Sequence, residues 1–386
     1  MKMPGKLILF LLLCLFGTIS AGDIEQGELK KTLKVGKNGF LEVYTTLGTI
    51  QIVPWDKNEM LIETKGLYGD DADKVKITQT GNIVKVSYEQ GGHPDEVNFI
   101  ISLPAQHNVT LSTSSGDIIV SGTLKGELKG STSGGDIKLG RVEGLVNLNT
   151  SGGDITAGDI LSNAAFSTSG GDISIGEVSG MAEVRTNGGD IKVKSVGEKL
   201  SATTYGGDIQ IGSIEGDGQI NTYGGDIHIE SVSGNAEVNT AGGDIYLSGA
   251  SGKVRANTQG GDITLNKISG SVDARTRSGS VIVEMLSAGK SRSTILASDG
   301  TVTLYLKEDI KATIDAKIRM RGWKKNAFHL TSEFDAKKNA GVDEDNNEIK
   351  ATIPINGGGE IISIETANAD IEIRKLGSRN KPGKPE

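Results

Sequence analysis

Aspartate recurs in this sequence at a fixed interval, inside the string Gly-Gly-Asp-Ile. The residues are Asp136, Asp154, Asp172, Asp190, Asp208, Asp226, Asp244 and Asp262, each 18 residues after the one before. Asp117 precedes the series by 19 in Ser-Ser-Gly-Asp-Ile, and Ser280 continues it in Ser-Gly-Ser-Val. A row of carboxylates at constant spacing can hold calcium, which takes about 6–8 oxygens from carboxylates and carbonyls. It can instead accept hydrogen bonds from the amides of a tight corner, as Asp does in turns. Calcium-binding nonapeptide solenoids use Gly-Gly-x-Gly-x-Asp. Here Asp stands third rather than sixth and Ile replaces the fourth-position glycine, so the spacing favours the corner role. Threonines keep the same step at Thr132, Thr150, Thr168, Thr186, Thr204, Thr222, Thr240, Thr258 and Thr276, and support that corner.

Other candidates for chemistry are few. Tyr205 and Tyr223 are also 18 apart and should stack, either as a platform for sugar rings or as an incidental corner pair. His93, His107, His228 and His329 are scattered without metal-ligand spacing. No Gly-x-Ser-x-Gly elbow stands in a strand–turn–helix context. No catalytic residue and no cofactor is expected, apart from the calcium alternative. A glycan-active β-helix enzyme would need a cleft, and only an irregular insert at 321–347 could build one.

The scaffold that carries these residues is set by the repeat, since self-similarity at a fixed period decides the fold of such a chain. Each 18-residue unit splits into two halves of nine. In one of them Ile227 and Ile229 alternate with His228, and Ala236, Val238 and Thr240 alternate with Glu237 and Asn239. Period two marks a strand with one buried face. Glycine opens each half and is expected to supply the positive φ of a tight corner. Two short strands bury nothing alone, but stacked at about 4.8 Å per coil they enclose a continuous column. The fold class is all-β: a parallel β-solenoid with 18 residues and two short strands per coil, right-handed by the general rule for parallel crossovers, with irregular end caps. Inward rows run from Ile137 through Ile155, Ile173, Ile191, Ile209, Ile227, Ile245 and Ile263 to Val281, and from Leu139 to Val283. The opposite wall uses Val146, Ala164, Ala182, Leu200, Gly218, Ala236, Val254 and Val272, small enough to bring the two sheets close together.

Composition agrees. The 386 residues include 55 glycines, 36% hydrophobic and only 4% aromatic residues, which rules out a thick core of large side chains. Collagen is excluded, since there is no Gly-X-Y triplet and only 7 prolines. Residues 1–21 read as a signal peptide: Lys2 and Lys6, an apolar run Leu7–Phe16, then Ser20, Ala21 and Gly22. That run is too short for a bilayer span, and no transmembrane segment is expected after its removal. Cleavage removes Cys14, the one cysteine, and lowers the formal net charge from −8 to −10. A nucleic-acid partner is therefore disfavoured. The expected organisation is an N-terminal cap with opening coils at 22–110, a regular solenoid at 111–306, C-terminal coils and cap at 307–377, and a disordered tail at 378–386. Phe40–Tyr44 and Gly48–Val53 read as opening coils, and Val97–Leu103 as the lead-in to the array through Pro104. Ile361–Leu376 is read as the closing pair of strands, and Trp55 and Trp323 as end-cap packing.

The chain resembles the bacterial putative-adhesin β-solenoid family, a domain of unknown function in exported proteins. The carrying motifs are Thr49-Ile50-Gln51-Ile52-Val53-Pro54-Trp55-Asp56, Ile101-Ser102-Leu103-Pro104 and the Ser-Gly-Gly-Asp-Ile coils. The resemblance covers about residues 35–376 and implies an exported solenoid, periplasmic or at the cell surface. It implies no catalytic residues. The expected function is a non-enzymatic surface for adhesion, binding or scaffolding at the cell envelope, with an envelope or extracellular protein or glycan as partner.

Overall fold

The computed structural model describes residues 28–67, 69–89, 97–320, 328–334, 340–343 and 347–378. The signal segment 1–21, His93, Trp323 and the tail beyond residue 378 lie outside the described residues, as does much of the 321–347 insert.

The regular coils are those the repeat dictates. Each contributes one strand to each of two sheets, as in Ile227–Val232 and Ala236–Asn239. Successive coils pair in parallel with an 18-residue offset: Ile209 opposes Ile227, and Ile227 opposes Ile245. The isoleucine row from Ile137 to Ile263 is buried throughout, at 0–1% exposure. Burying a side chain of this size contributes about 1.5–3 kcal/mol relative to leaving it exposed, so these rows hold the column together.

A third inward row follows the strand's bend: Val142, Ile160, Val178, Val196, Ile214, Val232, Ala250 and Ile268 are all buried. Strict alternation from Ile137 and Leu139 would send Val142 outward. Successive coils keep one register through this point, with Ile175 opposite Val193 and Val178 opposite Val196, so each coil changes inward parity at the same place.

The corner glycines serve a different purpose from the one expected. None in the Gly-Gly-Asp strings has a positive φ. The second glycine is required by close stacking instead. A Cβ on Gly153 would lie 2.1 Å from the Gly135 carbonyl oxygen, and one on Gly243 would lie 2.0 Å from that of Gly225. The first glycine has room, since a Cβ on Gly152 would meet nothing closer than 3.7 Å. The sequence respects the difference. Ser115, Ser278 and Asp299 stand in the first place, while Gly116, Gly279 and Gly300 keep the second.

Both ends are nested. Ile50–Trp55 lies parallel between Asn98–Pro104 and Ile118–Leu124, with Ile50 opposite both Phe99 and Ile118. Gly39–Thr45 likewise lies between Ile83–Tyr88 and His107–Thr113. The segment through Pro104 therefore joins the array along the chain but is separated from it in space, because Ile50 and Ile52 match the aliphatic faces on both sides. At the other end Glu360–Ala367 sits between Ser293–Ala297 and Ala312–Arg319, and Ile371–Lys375 between Val302–Leu306 and Leu330–Ser332. Antiparallel strands complete the ends: Glu28–Lys34 on Glu59–Lys65, Val75–Thr80 on Ile83–Tyr88, and Ala340–Asp343 on Glu348–Ile355. Lys30, Lys31 and Lys34 on the first of these discourage edge-to-edge pairing with another chain. Trp55 packs in the N-terminal cap, donating from Nε1 to the Glu59 carbonyl at 2.8 Å under the Lys57 ammonium.

Candidate functional site

The aspartate row lies along one corner, and its chemistry is directed into the stack. Oδ1 of Asp136 accepts the backbone N–H of Asp154 at 3.0 Å. The same bond recurs from Asp154 to the amide of Asp172 at 2.8 Å, from Asp208 to that of Asp226 at 2.8 Å, and from Asp226 to that of Asp244 at 2.7 Å. Asp172, Asp190 and Asp244 do the same, Asp117 begins the series, and Asp262 ends it on the amide of Ser280. Neighbouring like charges about one coil apart repel by roughly 1 kcal/mol in water. A charge-assisted bond to an amide offsets this at every step. At Asp136 the Asp154 amide, helped by the Lys138 ammonium at 3.1 Å, holds the carboxyl below its usual range.

The threonines complete the corner from inside and are buried. Thr150 donates from Oγ1 to the Gly135 carbonyl of the preceding coil at 2.9 Å and accepts the Gly153 amide at 3.3 Å. Thr222 does the same with Gly207 and Gly225. Each coil thus ties its corner to the one before it through one carboxylate and one hydroxyl. As a calcium site the row offers one carboxylate per coil, with Oδ1 already engaged. Among the described residues, no three His, Cys, Asp or Glu side chains gather as a metal-binding group.

Tyr205 and Tyr223 stack as their spacing suggests, with ring centroids 5.2 Å apart and planes 9° from parallel. They are 57% and 64% exposed. A second pair, His228 on Tyr246, stacks at 4.6 Å and 12° on the strands that follow the same corner. Sequence reasoning missed it, although the signal was present: both are outward positions next to an inward Ile, 18 residues apart. Nε2 of His228 lies 2.9 Å from a Glu230 carboxylate oxygen.

The described histidines are not brought together. His107 is fully buried in the N-terminal coils, and burial, opposed by the backbone of Gln106 and Pro104, pushes its pKa down. His228 lies in mid-array, and His329 beside Asp370 at the other end. Near that end a groove of about 730 Å³ crosses the second sheet and is lined by Arg275, Arg292, Lys317, Lys350, Asp315 and Glu365. Most of its charge is internally matched. Arg275 pairs with Asp273, and Lys317 and Lys350 share Glu348, whose carboxyl they hold down at about 2.

The geometry defines a parallel two-sheet β-solenoid whose repeated polar residues bind one coil to the next. The chain belongs to the Toastrack DUF4097 family, whose model matches residues 68–217 and 199–356. No curated protein matches it. Among solved structures it is similar to a putative cell adhesion protein from Clostridium sporogenes, at 9% identity and a TM-score of 0.18, over 90% of this chain and 98% of that one. It is also similar to a putative adhesin from Bacteroides fragilis, at 15% identity and a TM-score of 0.17 over 90% and 98% of the two chains. A putative adhesin from Parabacteroides distasonis shares 14% identity with a TM-score of 0.29, over 72% of this chain and 98% of that one.

Proposed function

We propose that this chain is an exported, non-enzymatic solenoid that presents an extended surface for binding or scaffolding at the bacterial cell envelope. One observation carries the reading. The residues whose repetition first suggests chemistry, the aspartates and threonines, are bonded to the backbone of neighbouring coils. What the array offers a partner is its faces, where outward positions such as Lys192, Gln210, His228, Tyr246 and Thr264 change in charge and shape from coil to coil while the inward rows stay apolar. A constant frame with variable outward positions suits recognition along a length of surface. The basic and apolar stretch at residues 2–16 supports export.

Fractionation of the native cell, followed by protease treatment of intact cells, tests this. Recovery with the envelope or in the medium, with the mature chain beginning near Gly22, is expected. Recovery in the cytosol with residues 1–21 retained would overturn the proposal.

A further inference from the structure

The regular coils 111–306 contain five aromatic residues: Phe166, Tyr205, Tyr223, Tyr246 and Tyr305. Phe166 is in the core at 2% exposure, whereas Tyr205, Tyr223 and Tyr246 lie on the surface of three successive coils, at 57%, 64% and 36%. The core is aliphatic and does not need these rings. Stacking supports each pair by only about 0.5–1.5 kcal/mol.

Tyr223 is the most exposed of the three tyrosines. Tyr205 covers one face of its ring. The Ala241 amide donates to the Tyr223 carbonyl at 3.2 Å, and the Gln259 amide to the Ala241 carbonyl at 3.2 Å, so these two residues continue the same corner position. Ala241 has no ring to extend the stack. A gap one coil high is left above Tyr223, and the coil of Gln259 lies beyond it. Two coil rises of about 4.8 Å separate the levels of Tyr223 and Gln259, room for one ring-shaped group. The rim is polar. Asp226 and Asp244 use Oδ1 on backbone amides, which leaves each Oδ2 at an exposed corner as an acceptor. The Gln259 side chain is exposed as well. Following the corner, His228 and Tyr246 add a second stack, with Glu230 bonded to the imidazole.

We infer that the open face of Tyr223 over Ala241 is a binding site for one ring of a neutral glycan. The inference rests on the surface-binding reading above and deepens it. A pyranose has a flat apolar C–H face that packs on an aromatic ring and a rim of hydroxyls that donate to carboxylates. The neighbouring charges are acidic, with Asp208, Asp226, Asp244 and Glu230 on these coils, so a neutral chain is preferred over a uronate polymer or a nucleic acid.

Native gels containing hydroxyethylcellulose, glycol chitin or polygalacturonate test this with the intact chain. At least one neutral polymer should slow migration. Tyr223→Ala should weaken the effect about tenfold, the size of a lost ring contact. Ala241→Tyr should abolish it by extending the stack into the gap, with circular dichroism unchanged in both variants. Failure of both neutral polymers to retard the chain, stronger retardation by polygalacturonate, or wild-type retardation of Ala241→Tyr would each overturn the inference. Sedimentation with native envelopes separates the two levels. Wild-type co-sedimentation of Tyr223→Ala overturns the glycan site and leaves the surface reading standing. Failure of the wild-type chain itself to co-sediment counts against the surface reading.

Discussion

Asp226 accepts the backbone amide of Asp244 on Oδ1 at 2.7 Å, and Asp244 in turn accepts that of Asp262 at the same distance. A charged side chain at an exposed corner thus acts as a backbone connector. Replacing Asp226 by Ala removes an acceptor from one amide and should cost about 1–2 kcal/mol. Asn keeps an oxygen at the same place while removing one charge from a row of like charges, so Asp226→Asn should cost clearly less. Urea unfolding of the two variants checks the order. Equal losses would show that charge, rather than the acceptor, is what matters.

The two glycines of each corner should respond differently to alanine. Gly153→Ala forces a Cβ to 2.1 Å from a carbonyl oxygen and should destabilise by about 3 kcal/mol, as other backbone-displacing insertions do. Gly152→Ala finds 3.7 Å of clearance and should be within about 0.5 kcal/mol of wild type. Melting temperatures of this pair are sufficient, and a tolerated Gly153→Ala would refute the close-stacking account.

Calcium provides a third prediction. Oδ1 of each aspartate is bonded to an amide, and the row is expected to need no ion to fold. The melting temperature should be the same in chelator and in millimolar calcium. A ligand that bound only the folded chain would raise it by mass action, and a rise of several degrees would show that the row binds calcium.

His107 is buried, and its folded pKa lies below the usual 6.5 because burial disfavours the charged ring more than the backbone of Gln106 and Pro104 favours it. Below pH 6.5 the unfolded chain therefore binds a proton that the folded chain refuses. Stability should fall as pH drops from 6.5 towards the depressed folded value and level off beneath it. Denaturation of the wild type and His107→Leu between pH 7 and pH 4 reads the difference. His107→Leu should lose that part of the slope, and parallel curves would show that another group is responsible.

Much of this architecture is legible in the sequence because the repeat is strict. The isoleucine rows, the parallel stacking and the Tyr205–Tyr223 stack come from spacing alone. What escapes has identifiable causes. The row from Val142 to Ile268 is hidden because the inward parity changes within each long strand, as from Ile175 to Val178, and period two read from the first residues does not foresee it. The role of the second glycine depends on the coil beneath it, which local turn chemistry does not contain. The nesting of Ile50–Trp55 between Phe99 and Ile118 is a choice among matching aliphatic faces, and chain order gives no hint of it. Asp carboxylates could be placed at a corner from sequence, but which amide each one meets requires the neighbouring coil.

Amide hydrogen exchange at the corners tests the central claim most directly. In the wild type the amides of Asp154 through Asp262 should be protected despite their exposed side chains, because each donates to the carboxylate one coil back. In Asp226→Ala, protection should fall selectively at Asp244 while Asp172 exchanges as before. Rapid exchange at Asp244 in the wild type, or unchanged protection there in Asp226→Ala, would contradict the account.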